Sequence, residues 1–454
     1  MTIQQDTITA FSHWRKLLHR NSCTLFARCS RRVFQWVLAL HIAVLFLTNN
    51  SNAQTQNTPI VKATTKANRE KTYSNIIQNG ILRNLAKPLS DSTELDWQDA
   101  FHAMELLQYK ESWVPNKITI ALQYFPQATA DFQRAFLEFL YTNYPKEYIH
   151  PVNTIRFATN LSKIYAICME YLLQAKKISS AAMSSLVFKQ FPNYQLDSLL
   201  YPLVASKTTI TDINRRKAIQ TICSTAFLSG KQLVISFQRK NRDYPGLAII
   251  RDSTGHFVQD SSGQIFTIPQ LARSLSSLPF YLTNGNTPQG IFRMNGFDVS
   301  KNLSIGPTTN IQLMMPAETS SAFFTGDESQ KDSSTSLQAY EQLLPAPIRR
   351  YFPLYESYYA GKAGRYEIIA HGSTVNPAYY IGKSYYPFTP TAGCLAAKEV
   401  WNEQDGSRQQ SDQQWLVEAI KKSGSGNGYL IVIEINDLNK AVSLEDVLPY
   451  LKNK

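Results

Sequence analysis

Two short motifs near the C-terminal end carry the residue types that acyl transfer needs. His371-Gly372 closes a hydrophobic run that reads as a strand, and Thr391-Ala392-Gly393-Cys394 follows after a tyrosine-rich stretch. The apolar spacing predicts a helix over Leu395–Trp401, directly after the cysteine. A thiol at a helix N-terminus feels the positive end of the helix dipole, which lowers its pKa. Gly393 permits close backbone approach, so the Gly393 and Cys394 amides would face one pocket and hold a developing oxyanion. A histidine at a neighbouring strand end would take the thiol proton or stabilise the thiolate. Spacing alone is also met by a small core cysteine and an ordinary His-Gly turn, which are commoner than catalytic pairs.

Positioning these residues takes a framework of strands. Period-2 and continuous apolar runs mark strands at "KQLVISFQ" (231–238), "GLAIIRD" (246–252), "GIFRMNG" (290–296), "NIQLMMP" (310–316), "RYEIIAHG" (365–372) and "GYLIVIEI" (428–435). Helical spacing lies between them at Ile268–Leu275, Leu337–Leu344 and Gln413–Lys422. Residues 317–364 interrupt the strands, Ser/Thr/Asp-rich over 319–336 and aromatic over 351–361. A long loop of this kind reads as a lid over the cysteine or as a packed insertion.

Upstream, residues 67–230 have helical spacing, clearest at Trp97–Leu107, Phe132–Tyr141, Ile155–Ala175 and Ile213–Leu228, with Asn153 and Asp212 as helix starts. Proline turns separate the helices, and the likeness of "YFPQ" (124–127) to "QFPN" (190–193) suggests helical-repeat packing. His102 and His150 stand alone, so this part offers no chemistry and reads as a spacer, a substrate guide or a docking surface for a protein partner. The fold class is therefore α+β and multidomain. An all-α domain at 67–230, of helical-repeat character, precedes a mainly β domain at 231–454 that carries the 317–364 insertion.

The 454-residue chain has a formal net charge of +12. Without residues 1–53 it keeps 40 basic and 33 acidic residues, an excess that suits an anionic envelope polymer as well as an ordinary solvated surface. No dense Lys/Arg run is interleaved with aromatics, which argues against nucleic acid as a partner. Arg31-Arg32, the apolar run Val33–Leu47 and the small polar residues up to Ala53 are the physical parts of an export signal. The run is short for a membrane span, so two outcomes are expected: cleavage after Ala53, or a membrane tether through 33–47. Residues 54–66 read as a linker, and the location as periplasm or cell envelope. Cys23 and Cys29 leave with the signal, and Cys168 and Cys223 read as buried helix cysteines. That leaves Cys394 as an unpaired thiol in an exported protein. No His/Cys spacing suits a metal, and neither metal nor cofactor is expected.

Three segments occur in a telling order: "NGNTPQGIFRM" at 284–294, "IIAHGST" at 368–374 and "TPTAGCL" at 389–395. They resemble the Thr-Pro-x-Gly strand, the His-Gly and the [Ser/Thr]-x-Gly-Cys of the L,D-transpeptidase (YkuD-type) catalytic domain, over roughly residues 231–454. The resemblance implies a β-rich catalytic fold, peptidoglycan stem peptides as substrate, and a role in cell-wall biogenesis and cell shape. It makes Cys394 the nucleophile and His371 the base. It gives the Gly372 carbonyl the task of orienting the imidazole, and Thr391, Ala392 and Gly393 that of shaping the anion hole. Thr287, Pro288 and Gly290 match the early strand and are expected to be structural. Ala392 stands where many members carry a second histidine, and Leu395-Ala396-Ala397 replace a more polar continuation, departures that bear on substrate choice. The implied reaction passes a tetrapeptide stem through a Cys394 thioester to an amine. Release to water, as an L,D-carboxypeptidase, and a catalytically weak wall-binding scaffold are the alternatives. No histidine follows Cys394, so the Cys-before-His order of papain-like hydrolases is excluded for this thiol.

Overall fold

Eight strands form the sheet that carries both motifs. The protein is represented by a computed structural model describing residues 58–318, 322–325 and 336–451. The export signal and tether expected within 1–53, and residues 319–321 and 326–335 of the polar run, lie outside the described residues. The strands are β1 (Leu233–Arg239), β2 (Gly246–Arg251), β3 (Thr267–Gln270), β4 (Gly290–Asp298), β5 (Asn310–Met314), β6 (Ile369–His371), β7 (Leu395–Ala396) and β10 (Tyr429–Asn436). They are ordered β3-β2-β1-β10-β4-β5-β6-β7. A separate two-stranded ribbon joins β8 (Glu399–Trp401) to β9 (Arg408–Ser411). Beyond β3, Leu271 exchanges backbone hydrogen bonds of 2.8 and 2.9 Å with Ala396. That bridge joins the two ends of the sheet and bends it into a near-barrel.

The central strands are apolar at almost every position because both faces are covered. Alternation sends Leu233, Ile235 and Phe237 of β1 to one core, with Ile431 and Ile433 of β10. Val234 goes to the other, with Phe292, Leu430 and Val432. The first core is closed by the helices Asp212–Cys223 and Leu444–Leu451 and by the 336–364 segment. The second takes in Leu416, Val417 and Ile420 of the helix Asp412–Ser423 and runs on into the helical region. There, Trp97, Phe101, Phe132, Phe136 and Phe139 pack as a chain of aromatic rings between the helices Glu94–Leu107 and Ala130–Asn143. Pro59–Lys454 thus form one unit in which helices and sheet share a core.

Several expectations are corrected in detail. Leu395–Trp401 is not a helix: Leu395-Ala396 pair with β6, Ala397 donates to the His371 carbonyl at 2.9 Å, and Glu399–Trp401 join β9. Ile268 lies in β3 with Pro269, whose missing N–H suits an edge strand better than a helix interior. Ile155–Ala175 is two helices, Ile149–Ala158 and Ser162–Gln174. Between them Thr159 turns extended and its hydroxyl takes the Leu161 N–H at 3.1 Å, a local bond that competes with the helix ladder. Asn153 therefore lies inside a helix, and the cap before Asp212 is Thr211, whose hydroxyl accepts from Asn214 N at 3.3 Å. Both proline turns end helices, but "YFPQ" leads into the long helix Ala130–Asn143 and "QFPN" into the short turn Tyr194–Leu196. The described part of the 54–66 stretch is docked, with Val61 N on Gly406 O and Lys66 N on Glu403 O, each at 2.8 Å. Cys168 and Cys223 are both buried and unpaired. No helix among the described residues is long and apolar enough to cross a membrane.

Candidate functional site

The β6–β7 strand pair beside the seam of the near-barrel brings the two motifs together. Strands β6 and β7 run parallel with Ala370 opposite Leu395 and His371 opposite Ala396. Cys394 lies two residues before Ala396, so strand alternation sends its side chain to the side that carries His371. The seam is held from both directions. Leu275 N donates to Thr391 O at 2.8 Å, and Gln413, fully buried on the helix Asp412–Ser423, donates to Ala370 O at 2.9 Å.

His371 is 5% exposed, and its Nδ1 lies 2.5 Å from the Gly372 carbonyl. A carbonyl only accepts, so Nδ1 carries the hydrogen and Nε2 is the atom left to take a proton. Burial pushes the imidazole down to about 4, and the Gly372 carbonyl opposes that shift only in part. Gly372 itself is required by a close approach: a Cβ there would lie 2.2 Å from the Glu399 carboxyl carbon. The Glu399 carboxylate, whose pKa burial raises, is held by the hydroxyls of Thr308 and Ser411, the latter at 2.7 Å. A buried acid thus braces the His-Gly turn.

Cys394 is half-buried, and its sulfur is enclosed enough that burial pushes the thiol up to about 11. The Ile369 backbone and Arg365 pull in the other direction, and Glu367 adds to the rise. No helix follows the thiol, so the dipole activation expected from the sequence is absent. The thiol donates to the Glu367 carbonyl over 3.7 Å, and no hydrogen bond joins Cys394 to His371. Glu367 sits at a left-handed φ of 57° with its N–H on Glu318 Oε1 at 3.0 Å. Strained backbone of this kind concentrates at functional sites. At neutral pH the pair is therefore a neutral thiol and a neutral imidazole rather than a preformed ion pair.

The anion hole differs from the expectation. The Gly393 N–H is already donated to Thr391 Oγ1 at 3.0 Å, and the Thr391 hydroxyl in turn donates to Cys394 O at 2.9 Å. Of the two amides proposed as oxyanion donors, only that of Cys394 makes no hydrogen bond to a described residue. Ala392 adds no polar group. The early motif reaches the same loop: buried Thr287 donates to Gly393 O at 2.9 Å. Gly290, at φ +117°, admits Ser357 and the Leu354 carbonyl, which a Cβ would meet at 2.4 and 2.6 Å.

Sequence reasoning passed over Arg365. It opens the "RYEIIAHG" run, its guanidinium is enclosed, and it lies against Gly393, where a Cβ would stand 2.0 Å from Nη2. Of the two readings of the insertion, its aromatic 351–361 run takes the packed one, and the tyrosines after His371 pack as well. Tyr351, Tyr355 and Tyr358 are in the core with helix Asp212–Cys223, and Tyr380 and Tyr385 form a cluster with Leu271 and Ala396. Among the described residues no group of three or more His, Cys, Asp or Glu could hold a metal ion. No family model matches the chain, and neither does any curated protein or solved structure.

Proposed function

We propose that the chain is a cysteine acyltransferase of the L,D-transpeptidase type, acting on peptidoglycan stem peptides in the cell envelope. The observation that carries this reading is the parallel β6–β7 pair, which sets His371 and Cys394 on one side of neighbouring strand ends with Nε2 left as the proton acceptor. In the reaction, Cys394 Sγ attacks the carbonyl carbon of the L,D-amide while its proton passes to His371. The tetrahedral oxyanion is met by the Cys394 amide. Collapse breaks the C–N bond, the leaving amine takes the proton from His371, and a thioester remains. An acceptor amine then attacks the thioester, gives its proton to His371, and the sulfur leaves and is reprotonated. Water in place of the amine gives the L,D-carboxypeptidase.

The scaffold reading is favoured by one observation: the thiol hydrogen lies on the Glu367 carbonyl rather than on His371. Catalytic hydrogen bonds often tighten only when substrate is bound, so acyl transfer remains the better account. Mass spectrometry of tetrapeptide muropeptides incubated with the full chain, or with Cys394→Ala, tests it. Cross-linked dimers, or tripeptides with free D-residue, are expected with the wild type alone. Equal product from a folded Cys394→Ala chain refutes the nucleophile.

A further inference from the structure

Arg365 is a buried cation with no carboxylate beside it among the described residues. Its guanidinium donates to the Phe280 carbonyl, to Asn286 O at 2.9 Å and to Gly285 O at 2.8 Å. Three carbonyls satisfy N–H groups but leave the charge in place. Of the other buried arginines, Arg239 pairs with Asp446 at 2.5 Å and Arg242 with Glu434 at 3.0 Å, while Arg156 donates to Asn153 Oδ1 at 3.2 Å and lies over the Phe157 ring. Arg251 also rests on carbonyls, with buried Cys223 and then Asp252 acting on it electrostatically; unlike Cys394, Cys223 lies in a helix away from any histidine motif. For Arg365 the titratable group in range among the described residues is Cys394. Buried charges are rarely left unpaired. The Gly393 backbone, lacking a Cβ, lets Nη2 press against the residue next to the thiol.

We propose that Arg365 is the built-in counter-charge for Cys394, a positioning residue that lets the enclosed sulfur carry negative charge as its proton leaves. The carbonyls of Phe280, Gly285 and Asn286 aim the guanidinium, and they belong to a loop anchored in the helical region. Tyr281 donates to Glu170, and Lys163 Nζ reaches Thr283 Oγ1 at 3.2 Å. The charge that steadies the thiolate is thus set in place by helices far from the motif in sequence. Glu367, exposed at the surface, is the opposing charge on the thiol.

This inference rests on Cys394 being the reactive group, and its test uses no acyl donor, so failure of the muropeptide assay does not touch it. The full chain, Arg365→Met and Arg365→Lys are alkylated with iodoacetamide between pH 7 and 9, and Cys394 is followed by peptide mass spectrometry. Below the thiol pKa, each unit of upward shift slows alkylation tenfold. Arg365→Met is expected to react about tenfold more slowly at every pH, and Arg365→Lys within about twofold of the wild type. A merely structural arginine predicts the opposite sign, because a loosened loop exposes the thiol and speeds its labelling. Unchanged or faster alkylation in Arg365→Met overturns the proposal. A second measurement does not depend on that variant folding. In Glu367→Gln, where Arg365 is the remaining charge acting on the thiol among the described residues, an anionic methanethiosulfonate should outpace a cationic one of equal size about fivefold at low salt. The gap should close as salt is added. Parity at low salt, or a faster cationic reagent, also overturns it.

Discussion

Gly393→Ala tests whether the loop before the cysteine is as tightly specified as its geometry implies. The added methyl would stand 2.0 Å from Arg365 Nη2 and 2.7 Å from the Gly285 carbonyl oxygen. Neither neighbour can retreat cheaply: Gly285 O is backbone, and the guanidinium is fixed by three carbonyls. Overpacking a rigid site costs about 1–3 kcal/mol. The residue also sits at φ +121°, a region that L side chains avoid, which adds about 1–3 kcal/mol. The expected loss is about 4 kcal/mol, a large share of the roughly 5–15 kcal/mol that holds a folded chain together. Urea unfolding of the full chain, followed by tryptophan fluorescence, measures it. A cycle with Arg365→Met separates the two causes. If the clash with Arg365 dominates, the double variant is less destabilised than the sum of the singles by about 1 kcal/mol or more. If backbone strain dominates, the effects add. A loss below about 1 kcal/mol in Gly393→Ala would refute the close packing of the guanidinium on this loop.

Other predictions follow from the same geometry. Thr287→Val removes the hydroxyl that satisfies the buried Gly393 carbonyl and should cost about 1–3 kcal/mol in urea unfolding, whereas Thr287→Ser keeps most of the stability. With the imidazole held down to about 4, the base form of His371 persists well into acid, so the transfer rate should stay flat from pH 8 to pH 5. A fall centred near the ordinary histidine pKa of about 6.5 would show that the imidazole is solvated. Burial and the Glu434 charge raise the Glu356 carboxyl to about 8, so the folded state holds a proton that the unfolded state releases near 4.5. Stability contributed there is present at low pH and lost as pH rises between those values. Glu356→Gln should flatten that decline in urea midpoints, and an unaltered slope would count against the assignment.

The chemistry-bearing residues were legible because each motif sits where chain geometry is local: a His-Gly at a strand end and a Gly-Cys before another. Strands β1, β2, β4, β5 and β10 were legible from their continuous apolar runs, which two covered faces require. What followed Cys394 was misread because Leu395-Ala396-Ala397 has helical propensity, and only a parallel partner strand, invisible in local sequence, overrides it. The break at Thr159 depends on a single side-chain hydrogen bond to Leu161 N, which periodicity does not register. Arg365 went unnoticed because its neighbours Gly285 and Gly393 are distant in sequence, so nothing local shows that it is buried beside the thiol. The aromatic 351–361 run was ambiguous between lid and core because composition does not say which side of a sheet a segment covers.

The bridge between Leu271 and Ala396 has a consequence for how the molecule assembles. A sheet left open there would present unpaired N–H and C=O groups on the strand ends, a template for joining another chain edge to edge. Closing the seam removes that hazard. It also unites residues far apart in the chain, and such contacts form late because loop closure must come first. The strands next to the two reactive side chains, β6 and β7, pair with each other rather than across this closure. An open seam therefore leaves the thiol and imidazole on neighbouring strands but turns β7, and the Cys394 loop before it, into a free edge. Closure fixes the strand beside the thiol rather than bringing the thiol to the imidazole.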